Sequence, residues 1–270
     1  MAENKEKDMS FLDHLEELRF RLMRSAIAIL LGAVVLFIFD EFVFNVVIFG
    51  PMKLDFFTYV QWCNLSHWLG FGDELCVKSV DYEVINTTMV GQFTSHIMVS
   101  IIGGIIIAFP YIFYEVWNFV KPGLRQQEIK AVRGVIFAAS LLFFTGVLFG
   151  YYLIAPLSLQ FLGSYQVGDV KSMVTISSYM KTVVSCTFSS GLVFQLPVLV
   201  YFLTKIGLIG PALLRKYRKH ALVAVLIVAA IITPPDVTSQ IIVTLPILLL
   251  YEVSIFISAR VERKKAKQNL

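Results

Sequence analysis

Apolar residues along this chain come in long blocks rather than in the short alternations of a soluble domain. Six blocks read as membrane-spanning helices, at roughly 22–44, 92–117, 132–156, 178–206, 219–233 and 238–258. About 20 mostly apolar residues are needed to cross the hydrocarbon. The fifth block falls short, since its 15 residues rise about 22 Å against about 30 Å for a typical bilayer core. The sixth follows it directly after Thr233-Pro234-Pro235-Asp236. Upstream of the first block, Phe11, Leu15, Leu18 and Leu22 recur at helical spacing, and Ser10-Phe11-Leu12-Asp13 fits a helix cap. This predicts a short amphipathic helix within residues 1–21, lying on the inner membrane surface and running into the first span.

Composition agrees with the pattern. Apolar residues make up 57% of the 270, charged ones 16%, and the mean hydropathy is +0.74. A soluble domain carries about 25% charged residues, so this chain has too little polar surface for a water-facing globule. Charge placement then sets the orientation. Nineteen of the 23 lysines and arginines lie before the first span, between spans two and three, between four and five, or after the sixth. Positive loops stay inside, which puts both termini in the cytoplasm (259–270 as a cytoplasmic tail). About twenty mixed-charge residues precede the first block with no short apolar core and A-x-A site, so a cleavable signal is not expected.

The loop at about 45–91 then lies outside. It is long, rich in aromatics (Tyr59, Trp62, Trp68, Tyr82) and in acids (Asp55, Asp73, Glu74, Asp81, Glu83), and loops of that length usually fold or function. Cys63 and Cys76 both fall in it. They either close a disulfide, worth about 3 kcal/mol for so short a loop in an oxidising compartment, or stand as two free thiols. Cys186, within the fourth span, reads as a small packing residue. No Cys/His metal pattern and no nucleotide-binding or hydrolase motif occurs. No metal, no cofactor and no enzyme activity are expected.

Polar and helix-breaking residues within the spans carry the remaining signal. Pro110, Pro156, Pro197 and Pro246 each remove a helical hydrogen bond and favour a kink. Gly146 and Gly150 form a GxxxG that permits close helix packing within the chain. Gln195 lies two residues before Pro197, and an amide at that depth needs a partner. That partner is either a neighbouring helix or freed backbone, or a polar group on another membrane protein. Glu115 and Glu252, toward the inner ends of their spans, read as snorkelling to the interface, and Asp236 as a cap for the last helix. Two function classes stay open. A solute transporter lacks a relay of intramembrane charges and a repeated half. A receptor or scaffold would use the acids set among the inner basic residues, Asp13, Glu16, Glu17 and Glu128. Otherwise these acids pair with Arg19 and Arg21 on a solvated face.

Four segments together point further: Phe11-Leu12-Asp13-His14-Leu15-Glu16-Glu17-Leu18-Arg19; Pro110 with Tyr114-Glu115-Val116-Trp117-Asn118-Phe119-Val120-Lys121-Pro122-Gly123-Leu124 and then Glu128; Phe194-Gln195-Leu196-Pro197-Val198; and Thr233-Pro234-Pro235-Asp236-Val237-Thr238-Ser239-Gln240. With the six-span order, they resemble the TatC family of the twin-arginine translocase over nearly the whole chain. The resemblance implies an all-α integral membrane protein of the bacterial cytoplasmic membrane, a concave bundle of six kinked helices. It implies a receptor for twin-arginine signal peptides of folded cargo, working with TatA- and TatB-type single-span partners, self-associating, driven by the proton-motive force and binding no nucleic acid. The family's binding carboxylates match Glu17 and Glu128, with His14, Arg19, Phe119 and Leu124 completing the signal-peptide site. Two adjacent guanidiniums suit two carboxylates, because each can be held bidentately. Gln195 and Pro197 are implied for partner-helix docking. Pro51, Pro110, Pro122, Pro156, Pro234, Pro235, Asp236 and Gln240 are implied as structural. The chain departs from the family at Gln195, where glutamate is usual: the amide keeps hydrogen bonding and loses ionisation.

Overall fold

The structure, a computed structural model, describes residues 11–73, 76–77, 83–120, 132–165, 173–233 and 237–268. In chain order the elements are α1 (Phe11–Ile38), α2 (Asp40–Phe42), a π-helical turn (Val43–Ile48), a 3-10 turn (Gly50–Met52), α3 (Phe57–Trp68), β1 (Glu83–Ile85), α4 (Gly91–Val120), α5 (Val132–Phe149), a second π-helical turn (Gly150–Ile154), α6 (Ala155–Ser164), β2 (Met173–Thr175), α7 (Ile176–Val193), α8 (Leu196–Ile206), α9 (Pro211–Lys216), α10 (Arg218–Ile232) and α11 (Val237–Gln268). They form two compact units. One combines residues up to Ile38 with Ser100–Ser140, and the other combines Phe39–Val99 with Leu141–Leu270.

Among the described residues, five helical stretches are long and apolar enough to cross a bilayer: Leu15–Ile38, Gly91–Phe119, Gly134–Ser164, Ile176–Ile206 and Ser239–Ala266. Large apolar side chains such as Leu22, Leu30, Leu31 and Ile38 are exposed along α1, as a helix bathed in lipid requires. The chain is a multi-pass helical membrane protein. The block at 219–233 forms α10, whose 15 residues rise only about 22 Å. α1 is one unbroken helix from Phe11 to Ile38; the proposed cap at Ser10 lies outside the described residues. The last helix runs on to Gln268, because Arg260–Gln268 is made mostly of strong helix formers. One detail differs from the sequence reading. A two-stranded parallel sheet pairs Glu83 with Met173, Val84 with Val174 and Ile85 with Thr175. Strands of three residues are too short to leave an alternation in the sequence.

In the first unit, α1 and α4 approach backbone to backbone at two glycines. A Cβ added at Gly32 would lie 3.1 Å from Gly104 Cα, and one added at Gly104 would lie 2.7 Å from the Ile29 carbonyl and the Ala33 amide. Small residues let helices approach this closely where lipid supplies no hydrophobic drive.

In the second unit, tyrosines satisfy the carbonyls that irregular turns leave unbonded. Tyr151, Tyr179 and Tyr59 donate to the carbonyls of Val47 (2.6 Å), Ile48 (2.8 Å) and Pro51 (2.9 Å). These carbonyls belong to the π-helical and 3-10 turns around the buried Pro51. A buried backbone group left without a partner costs about 1–3 kcal/mol, so these hydroxyls help make the bend tenable. Gly146 and Gly150 pack on α7: added Cβ atoms would fall 2.8 Å from the Ser190 carbonyl and 2.7 Å from the Cys186 carbonyl. Cys186 is buried there, its thiol 3.5 Å from the Ile232 carbonyl. The fourth span breaks at Phe194-Gln195, where Pro197 sits in the first turn of α8. Pro110 and Pro246, by contrast, are carried inside continuous helices. Gln240 Nε2 donates to the Leu226 carbonyl at 3.2 Å, tying α11 to α10.

A disulfide joins Cys63, on α3, to Cys76. The turn between them is held by Ser66 Oγ donating to the Gly72 carbonyl at 2.7 Å and by His67 against Asp73 at 2.9 Å. Gly70 and Gly72 have φ of 80° and 61°, a region that only glycine enters cheaply.

Two outcomes follow from this packing. Alkylating the unfolded, unreduced protein labels Cys186 alone, and prior reduction raises the mass shift to three adducts; two adducts or more without reductant would contradict the bridge. Gly104→Val forces α1 off α4 and costs about 1–3 kcal/mol or more, read as a lower melting temperature and faster proteolysis in detergent.

Candidate functional site

Glu17 and Arg21 stand four residues apart on α1 with the acid first, the favourable order for a helical ion pair. Glu17 Oε1 accepts from Arg21 Nε at 3.1 Å and also from Nη2 of the same guanidinium. Arg21 turns its other terminal nitrogen, Nη1, to Glu115 Oε2 on α4 at 3.2 Å. The second oxygen of Glu115 accepts from the Tyr111 hydroxyl at 2.9 Å, and Arg24 Nη1 lies 4.0 Å from it. Ser25 Oγ donates to the Arg21 carbonyl at 3.0 Å. All these groups belong to the first unit, where Tyr111 and Glu115 are again one helical turn apart.

Burial gives the cluster its weight. Glu115 is only 3% exposed, which overturns the snorkelling expected for it. Snorkelling belongs to the long stems of lysine and arginine. A glutamate stem is too short, so the guanidiniums of α1 reach the carboxylate instead. A carboxylate buried without such partners would be strongly destabilising, about 3–5 kcal/mol when one partner is removed. Glu252 on α11 behaves otherwise: it is exposed and pairs with Arg218 at 2.7 Å.

Two carboxylates and two guanidiniums make the cluster electrically neutral, yet its hydrogen bonding is uneven. Both donors of Arg21 that reach Glu17 fall on Oε1. Glu17 Oε2 is buried and has no hydrogen-bond donor among the described residues. Buried polar atoms are nearly always satisfied, so an open carboxylate oxygen asks for an explanation.

Of the residues singled out in the sequence, Glu17 lies in this cluster, and Arg19 and Glu16 are exposed on the same helix. Phe119 is half-buried near the end of α4. The side chain of His14, and Pro122, Leu124, Glu128, Pro234, Pro235 and Asp236, lie outside the described residues. Gln195 and Pro197 belong to the other unit. The sequence reading missed Glu115, Arg24 and Tyr111 as members of the site. A signal for them exists: an acid inside an apolar span marks a functional position by default, and Tyr111 precedes it by one turn. Cys63, His67 and Cys76 cluster closely enough for a metal, but the disulfide removes both thiolates as ligands.

The family model described as "Sec-independent protein translocase protein (TatC)" matches residues 13–246. The chain is 38% identical over 268 residues to the Sec-independent protein translocase protein TatC of Blattabacterium sp. subsp. Periplaneta americana (strain BPLAN), covering 97% of this chain and 99% of that one. It is 34% identical over 270 residues to TatCy of Bacillus subtilis (strain 168), covering 100% and 96%. A crystal structure of a twin arginine translocase receptor, TatC, in DDM superposes with a TM-score of 0.70 at 32% identity, covering 91% of this chain and 99% of that one. These relatives are components of a membrane transport system and not enzymes. By sequence over nearly its full length and by fold, the chain belongs to the Sec-independent protein translocase (TatC) family.

Proposed function

We propose that this protein is the signal-peptide receptor of a twin-arginine translocase, exporting folded proteins across the bacterial cytoplasmic membrane. The observation that carries the reading is at Glu17. Its carboxylate already holds one guanidinium on Oε1, while Oε2 is buried and unengaged among the described residues. A carboxylate in that state is suited to an arginine brought by a visitor, since charge-assisted bonds to guanidinium are strong and directional. Glu128 would take the second arginine of the pair, with His14 and Arg19 nearby in the sequence. Phe119 and Leu124 would cover the apolar residues that follow.

In this reading six helices span the membrane with both termini in the cytoplasm, α10 being the short fifth span. A span of about 22 Å in a core of about 30 Å favours local thinning of the bilayer, useful where a folded passenger must cross. TatA- and TatB-type helices dock at the break in the fourth span, using Gln195 and the backbone opened by Pro197. Energy comes from the proton-motive force, and copies of the chain associate with one another.

Charge reversal tests the receptor assignment. Glu17→Lys and Glu128→Lys each abolish crosslinking of a twin-arginine signal peptide to the folded protein, as judged by unchanged protease resistance. Normal crosslinking in both variants would favour a transporter of small solutes, which tolerates such changes at its surface. For the partner site, Gln195→Glu retains transport, whereas Gln195→Leu loses co-purification of TatA- or TatB-type helices. Retained association in the leucine variant would remove Gln195 from the docking surface.

A further inference from the structure

The cluster around Glu115 binds a cation where the receptor reading requires an opening, and a specificity mechanism resting on that reading follows. Arg21 bridges two acids. It holds Glu17 through Nε and Nη2 while Nη1 already rests on Glu115 Oε2 at 3.2 Å. Glu115 is served independently on its other oxygen by Tyr111 at 2.9 Å and faces Arg24 at 4.0 Å. We infer that Arg21 is an internal occupant of the signal-arginine site and Glu115 the acid to which it withdraws, and that this exchange sets the preference for guanidinium over ammonium.

Charge and geometry both support the exchange. A visitor docking on Glu17 Oε2 with Arg21 in place would set three cations against two acids in a poorly hydrated site, for the side chains of Arg21 and Glu17 are only 20% and 25% exposed. Withdrawal of Arg21 relieves this by clearing both oxygens of Glu17 for a two-pronged guanidinium. The guanidinium of Arg21 has five donors and keeps its bond to Glu115 as it turns, so it is never left without a counterion. Lysine competes poorly in such an exchange. Its ammonium is a compact, strongly hydrated charge that cannot reproduce two parallel bonds, so it cannot displace an arginine already seated. Arg21 and Glu115 are therefore specificity-determining residues, acting through Glu17.

The test uses the full-length protein in membrane vesicles and two synthetic signal peptides that differ only in carrying Arg-Arg or Lys-Lys. Arg21→Gln should narrow the Arg-Arg to Lys-Lys affinity ratio by about tenfold, chiefly by improving Lys-Lys binding. Glu115→Gln leaves Arg21 with Glu17 alone and should weaken Arg-Arg binding several-fold, and the double variant should restore it while keeping the narrowed ratio. An unchanged ratio in folded Arg21→Gln protein, with binding still dependent on Glu17, would overturn the exchange. Should Arg21→Gln fail to fold, unaltered Arg-Arg binding in Glu115→Gln would do the same. Wild-type binding in Glu17→Gln is a different result, for it removes the receptor reading itself.

Discussion

A carboxylate buried among apolar helices has to be met by cations, and Glu115 imposes that condition on the whole first unit. Its partners cannot come from α4 alone, where Tyr111 is the group one turn away that donates to it. They come from α1, and Arg21 and Arg24 reach it only if that helix presents a particular face. Ser25, Gly32, Ala33 and Leu36 lie farther along the same helix. Ser25 and Ala33 are buried, and Gly32 contacts Gly104 backbone to backbone. Ion pairing at one end and glycine contact farther along thus agree on one rotation of α1 about its axis. Agreement between independent local preferences is what makes a single packing win over its alternatives.

The second unit solves a different problem with neutral groups. Its chain bends through π-helical and 3-10 turns, and each bend frees carbonyls that need a partner once buried. Tyrosine is suited to this work because its ring packs as a large apolar body while its hydroxyl donates at the far end. Tyr179 is fully buried and still donates a hydrogen bond to the Ile48 carbonyl. The proline at 197 is accommodated more simply, by ending one helix at Val193 and starting another at Leu196.

These two solutions were not equally legible in the sequence. Long apolar blocks and proline positions announce helices, because the bilayer leaves few other ways to satisfy backbone. The segments resembling the TatC family carried the expectation for Glu17, which lies in the ion-pair cluster of the first unit. The tyrosines on the turn carbonyls were not foreseen, since a tyrosine in an apolar segment looks the same whether it faces lipid, packs, or donates across more than a hundred residues to Val47. Glu115 was misread for a related reason. Sequence gives its depth along a helix but not the identity of the helix beside it, and depth alone suggested the interface. Pairing is a tertiary property, and the four-residue spacings of Glu17 with Arg21 and of Tyr111 with Glu115 acquire meaning only when the two helices are side by side.

An anion site near lipid faces a constraint that one in water does not. A carboxylate pair waiting empty in a medium of low polarity would bear the full cost of desolvation, several kcal/mol per ion, for as long as no ligand arrived. Taking up a proton would lower that cost but would also abolish the charge that attracts arginine. Filling the site with a cation of its own gives each acid a counterion, and the set of Glu17, Glu115, Arg21 and Arg24 is of that kind. Under the exchange proposed above, binding would be substitution: a ligand would be measured against Arg21 and not against water. Affinity would then depend on how well the displaced arginine is received elsewhere, and Glu115 would influence binding without touching the ligand.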